Sequence, residues 1–376
     1  MAESLEAAYT RLLSNPNDYA LNMAYGAAAE AAHELRHALA AYERAVLARP
    51  DDPTAREALQ RVRLALLPDV TTVTVAVGAN YVSNPREAPN GVTDKSLGIV
   101  HDGAFDTRIG VIDERTLLGI RWRSGLEFYG QNQIYAENVD YLFASAFTGP
   151  IWDLEGNWRL HAGPLTGSAW LGGEHISTDY GGFATLSNIV MGLPQWVRIR
   201  AVYRDVSGNG DNGIGNAFGN VWSNGSIVDV DGFFQAKPGF VKSDALYVTP
   251  LLRFSSADGR GPASVVPGAP YDDPLYTADY VESGVRASYF VPVNGPAALF
   301  GVGIGYHHRW FGQNVAFSIE KRQDDFIEPS AHLIFPSLLA PNLDLRFDYR
   351  FEHNESNDAL ERFDNHVVGV HVVGRF

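Results

Sequence analysis

The chain has 376 residues, 45% hydrophobic and 12% aromatic, with 17 Tyr, 20 Phe, 7 Trp, no Cys and a formal net charge of -15. Without Cys there are no thiolate metal sites and no disulfides, and the acidic balance argues against nucleic acid, whose phosphates need a basic face. Mean hydropathy is slightly negative and no apolar run reaches the roughly 18 residues of a membrane-crossing helix. A chain so aromatic yet so low in hydropathy is what alternating strands produce, because every second residue is polar.

Met1-Ala-Glu-Ser4 is followed by no basic and apolar leader. An exported chain is therefore expected to have had a signal peptide removed ahead of this sequence; the alternative is a cytoplasmic protein that never had one. Residues 1–67 read as helical. Pro16 and Pro50 stand 34 residues apart in similar settings, Leu-Ser-Asn-Pro16-Asn-Asp and Leu-Ala-Arg-Pro50-Asp-Asp. That spacing, with Gly26 and Ala38 where two helices would meet and Tyr42 beside them, resembles the tetratricopeptide repeat. Glu6 to Ser14 is expected to be the second helix of an incomplete repeat, Tyr19 to Arg49 a helix pair, and Pro53 to Leu66 the first helix of the next. Repeats of this kind bind partner proteins and carry no chemistry. Leu67-Pro68-Asp69 marks the boundary.

Residues 70–376 change to period two. Val73, Val75, Val77, Ala79 and Tyr81 alternate with polar or small residues, as do Leu118 to Phe128, Val197 to Tyr203 and Leu343 to Phe351. Further strands are expected at 140–148, 158–171, 183–193, 245–255, 283–293, 297–311 and 315–327. Tight turns are expected at Leu193-Pro-Gln-Trp196, Pro292 to Pro296 and Ile112 to Thr116. Long Gly- and Asn-rich loops are expected over 83–94, 207–232 and 257–276. One face is apolar and the other fully charged, and short turns at one end oppose long loops at the other. A mainly β transmembrane antiparallel barrel fits, rather than a soluble sandwich. At roughly 20 residues per strand and turn it holds about 14 strands, with 12 or 16 as alternatives.

The inward charges are the candidate functional residues. Arg121, Arg123, Arg198, Arg200, Arg204, Arg346 and Arg350 are expected to line the lumen, with Glu127, Asp344, Asp348 and Glu352 supplying the opposite sign. Such rows either brace the wall by pairing between strands or bias what enters a polar passage, and the two are compatible. The loop from Asp205 to Asn216 has oxygen donors but lacks the terminal acid of a calcium loop. His307 and His308 are adjacent, so in a strand they face opposite sides and cannot share a metal. No Ser/His/Asp order, phosphate-binding Gly loop or His-Glu-x-x-His is present. Neither an enzyme nor a cofactor is expected.

The last strand runs to the terminus with Val368, Val370, Val372, Gly374 and Phe376 on one face. It is expected to close the sheet against the first strand. Its alternation and terminal Phe resemble the signal read by the bacterial barrel-assembly machinery, an expected partner in biogenesis.

The layout resembles the surface lipoprotein assembly modulators, in which tetratricopeptide repeats precede an outer-membrane barrel, and more broadly repeat-fused export barrels. The likeness rests on Tyr81-Val-Ser-Asn84 with Ala88-Pro89, and on a closing block with Arg322-Gln-Asp324, Phe335-Pro336 and Tyr349 to Asn357. It implies a chain in the outer membrane with its repeats in the periplasm. They would capture a client while the barrel delivers a secreted protein or surface lipoprotein. An exopolysaccharide-export channel is the alternative; it favours aromatic platforms in the lumen, for which Trp196, on the Arg198 face, is the clear candidate. A passive porin or structural anchor is the third reading.

Overall fold

The computed structural model describes residues 4–85, 87, 90, 101–206, 224–257, 279–293, 297–315 and 318–376. Four helices come first: α1 (Leu5–Ser14), α2 (Tyr19–Ala31), α3 (Leu35–Ala48) and α4 (Pro53–Leu66). Fourteen strands follow: β1 (Val70–Val82), β2 (Asp102–Leu117), β3 (Ile120–Gln133), β4 (Tyr141–Asp153), β5 (Arg159–Leu171), β6 (Glu174–Val190) and β7 (Leu193–Val206), then β8 (Gly225–Ala236), β9 (Ala245–Ala257), β10 (Tyr280–Val293), β11 (Ala298–Asn314), β12 (Lys321–Ala340), β13 (Leu343–Ser356) and β14 (Phe363–Arg375). The chain divides into two units, Met1–Thr71 with Asp113–Arg123, and Thr72–Ile112 with Ser124–Phe376.

In the first unit short polar side chains set the helix starts. Ser4 Oγ accepts from the Ala7 amide, Asp18 from Leu21 and Asp52 from Thr54, and Pro53 opens α4 where its missing N–H costs nothing. The caps Asp18 and Asp52 repeat the spacing of Pro16 and Pro50, which lie in the turns before α2 and α4. Gly26 lets Tyr42 lie against α2, since a Cβ there would stand 2.5 Å from the ring. The Tyr42 hydroxyl donates to Glu30 at 3.0 Å, and Arg61 donates to the same carboxylate at 2.6 and 2.8 Å. Burial, and then the Glu30 carboxylate, push the Tyr42 hydroxyl up to about 12. The β2–β3 hairpin end belongs to this unit, with Thr116 Oγ1 donating to Leu64 O at 3.1 Å.

In the second unit the strands form a closed antiparallel barrel in chain order, with β1 and β14 completing the ring. Their register runs from Thr74 opposite Arg375 to Val82 opposite Val367. Beyond it Val73 and Phe376 exchange backbone hydrogen bonds, each 2.9 Å. Closure leaves no strand edge open to another chain. At the end where β1 starts the connections span 118–119, 154–158, 191–192, 237–244, 294–297 and 341–342. At the other end they span 83–101, 134–140, 172–173, 207–224, 258–279, 315–320 and 357–362.

Several sequence expectations need correction. Two hairpin turns fall at Leu118-Gly119 and Met191-Gly192, so Ile112 to Thr116 and Leu193 to Trp196 are strand rather than turn. In both turns a non-glycine residue holds positive φ, Leu118 at 50° and Met191 at 52°, where Asn, Asp or Gly is usual. Strands β2 and β8 were not anticipated. Strand β6 starts at Glu174 rather than 183, and β12 runs from Lys321 to Ala340 rather than over 315–327. Most of the long loops, most of the Asp205 to Asn216 segment and Ala88-Pro89 lie outside the described residues.

Candidate functional site

Strand parity separates two kinds of side chain. Val197, Ile199 and Tyr203 on β7, Leu252 and Phe254 on β9, Phe347 and Tyr349 on β13, and Val368 and Val370 on β14 are exposed. Charged residues stand between them on β7, β9 and β13, and Glu282, Arg309, Arg322 and Asp324 on β10 to β12 are 0% exposed. A closed sheet has one concave face, and only there can charged side chains be buried against one another. The convex face is thus apolar, the inverse of a soluble barrel, which is the polarity of a wall set in hydrocarbon.

Toward the long-loop end the inner face is a layer of ion pairs. Arg204 on β7 holds Asp179 on β6 at 2.6 and 2.8 Å. Asp229 on β8 takes Arg200 at 2.5 Å and Arg253 on β9 at 2.6 Å. Glu282 on β10 takes Arg309 at 2.9 Å and His307 at 2.8 Å, both from β11. Arg322 on β12 binds Asp324 at 2.5 Å and reaches Glu361 at 3.2 Å. Burial pushes the Glu361 carboxyl up to about 7, against the pull of Arg322. In low dielectric each charge depends on its partner, because an unpaired one is expensive. Nearby, Tyr141, Leu171 and Ile176 of β4 to β6 join Tyr280 and Phe311 of β10 and β11 in one hydrophobic cluster. These strands lie on separate arcs of the wall, so the side chains meet across the lumen.

Toward the short-turn end the inner face opens. Arg198 pairs with Asp231 at 2.9 Å yet is 44% exposed. Arg350 pairs with Glu352 at 2.5 Å and Glu328 at 3.6 Å and is 46% exposed. Arg346 approaches Asp344 at 3.5 Å. Asp348 accepts from His332 at 2.6 Å and His371 at 3.1 Å, and His371 also meets Asp106 on β2 at 3.3 Å. Glu127 is exposed on the same parity of β3. Arg123 binds Glu114, while Arg121 is buried at the hairpin end with Nη2 donating to Pro68 O at 2.8 Å.

The sequence reading missed Asp179, Asp229, Arg253, Glu282, Arg309 and Glu328, the partners that make these rows a network. Val228-Asp229-Val230-Asp231 did carry the signal, a period-two run with both carboxylates on one face. His307 and His308 do face opposite sides, the first binding Glu282 and the second Asp325. Among the described residues no group of three or more His, Asp or Glu side chains is placed to hold a metal ion. The residues that carried the family resemblance act as seams. The Asn84 amide donates to Asn365 at 2.9 Å and the His366 amide to Ser83 Oγ at 2.7 Å, tying the end of β1 to β14. Asn357 bridges to the Gln323 amide at 2.9 Å and to Lys321 O at 2.8 Å. Val368, Val370, Val372 and Phe376 lie along the closing strand, with Phe376 62% exposed at its end.

No family model matches the chain, and no curated protein does. Among solved structures, the outer membrane channel DcaP of Acinetobacter baumannii is similar at 11% identity and TM-score 0.43, covering 82% of this chain and 97% of that one. A loop-deletion form of OmpT, an outer membrane protein of Vibrio cholerae, is similar at 8% identity and TM-score 0.42, covering 82% and 99%. The outer membrane protein opdK of Pseudomonas aeruginosa is similar at 11% identity and TM-score 0.36, covering 82% and 99%. The strand pairing of this chain defines its barrel independently of these likenesses.

Proposed function

We propose that the chain is an outer-membrane transport channel for a hydrophilic cargo, its short-turn end facing the periplasm and its long loops the outside. The observation that carries this is the gradient along the inner face. Charged side chains are 44% exposed at Arg198 near the short-turn end and 0% at Arg309 near the long-loop end. A water-facing compartment thus leads to a closed layer of ion pairs and crossing apolar side chains. In this reading Arg121, Arg123, Glu127, Arg198, Arg200, Arg204, Asp344, Arg346, Asp348, Arg350 and Glu352 belong to the lining. The cargo proposed is a secreted protein or surface lipoprotein, captured in the periplasm by the helices of residues 5–66. The repeated caps and the Gly26–Tyr42 contact support this, since repeats of that build bind polypeptide. Saccharide export is the second reading, favoured by aromatic rings on the inner wall. Two measurements on the full chain and on a form lacking residues 1–67 test the assignment. Both forms should conduct ions at a low level in planar bilayers, and only the full chain should support surface display of a secreted reporter. A barrel that never conducts contradicts the channel; display that survives the deletion contradicts capture by the helices.

A further inference from the structure

Five rings follow one another along the inner wall. Trp196 on β7 lies 6.2 Å from Phe233 on β8, centroid to centroid, and Phe233 lies 5.7 Å from Tyr247 on β9. Tyr247 lies 5.7 Å from Phe290 on β10, and Phe290 lies 5.8 Å from His332 on β12. Strand β11 intervenes between the last two and offers Gly301, where a Cβ would stand 2.4 Å from the Phe290 ring. Phe290 therefore lies across bare backbone, with its plane within 26° of His332. Trp196 and Phe233 are within 15° of each other. All five side chains are only partly buried, and the first four stand close to the short-turn ends of their strands, where the inner charges are also exposed.

Polar groups flank this path throughout. Arg198 sits 5.4 Å over Trp196 and binds Asp231. Arg286 meets Glu328 at 3.0 Å, and Asp348 holds His332. Each cation beside the rings has a carboxylate partner, so the path presents no strong potential of one sign. A polyanion finds no basic stripe here, and a purely apolar ligand would strip water from paired charges at a cost. A neutral saccharide chain suits both features. The C–H faces of its pyranose rings pack on aromatic faces, while its hydroxyls bond to the flanking Arg, Asp, Glu and His side chains.

We propose that Trp196, Phe233, Tyr247, Phe290 and His332 form a track that binds a neutral saccharide chain inside the barrel. The track deepens the saccharide reading above and rests on the lumen being open to water at the short-turn end. The test is calorimetric titration of the full chain in detergent with maltohexaose, cellohexaose and chitohexaose, and with the matching trisaccharides. At least one hexasaccharide should bind, and more tightly than its trisaccharide because it spans more rings. Trp196→Leu and Phe290→Leu should each weaken that binding about three- to tenfold. Heat-modifiable gel migration reports whether each variant is folded, and Phe254→Leu, which removes a ring from the outer face of β9, should bind within about twofold of the unaltered chain. The track is overturned if no hexasaccharide binds, or if the folded Trp196→Leu and Phe290→Leu variants bind as tightly as the unaltered chain. Binding by a barrel that does not conduct upholds the track and overturns the channel; conduction without binding does the reverse.

Discussion

Arg204 and Asp179 stand directly opposite in the β6–β7 register and bind through two hydrogen bonds, with 2% and 3% of each residue exposed. Removing one partner leaves the other charged in low dielectric. Arg204→Met is expected to cost about 3–5 kcal/mol of barrel stability, and Arg204→Met with Asp179→Leu clearly less, because no charge is stranded. Urea unfolding followed by heat-modifiable mobility measures both; an Arg204→Met barrel as stable as the unaltered one contradicts the buried pair. The arginine was legible in the sequence because it follows Arg198 and Arg200 on one parity, opposite Val197, Ile199, Ala201 and Tyr203 on the other. Its partner was not. Asp179 lies in the Gly-rich stretch Asp179-Tyr-Gly-Gly182, where apolar alternation is weak, and only strand register brings it opposite Arg204.

The elements differ in how openly the sequence announces them. Helices α1 to α4 fall where the prolines and small residues indicated, and the caps Ser4, Asp18 and Asp52 fix the starts of α1, α2 and α4 within one turn of chain. The turns at Leu118-Gly119 and Met191-Gly192 did not, because a large apolar residue holds the position usually taken by Asn or Asp. Strand β2 was overlooked because its charges, Asp102, Asp106, Arg108, Asp113, Glu114 and Arg115, do not keep one parity. Within the helical unit the Glu30, Tyr42 and Arg61 group sets a pH dependence. The Arg61 hydrogen bonds hold Glu30 below its usual range, with help from the Tyr42 hydroxyl. Its contribution is therefore complete above the ordinary carboxylate value and disappears as pH falls through the lowered one. Glu30→Gln should cost about 0.5–1 kcal/mol at neutral pH and little once the native carboxylate is protonated. Hydrogen exchange of residues 19–66 in the full chain, corrected for intrinsic rate, reads this; an equal deficit at both pH values contradicts it.

At the scale of the whole molecule, what was legible was the inversion of polarity: an apolar parity and a charged one sustained over some 300 residues, with short turns and long connections at opposite ends. Beyond Trp196 the aromatic track was not legible, nor was the ion-pair layer, because both depend on the register between neighbouring strands. The apolar cluster beside that layer joins β4 to β6 with β10 and β11, which only closure of the sheet brings face to face. The absence of Cys allows the inversion to be measured directly, since any introduced Cys is unique. Single Cys substitutions along β13, spin-labelled in liposomes, report contact with lipid-soluble oxygen and with a water-soluble nickel chelate. Oxygen should dominate at 345, 347 and 349 and the chelate at 346, 348 and 350. Equal chelate contact on both parities, or the opposite alternation, would contradict a barrel that faces hydrocarbon outside and water within.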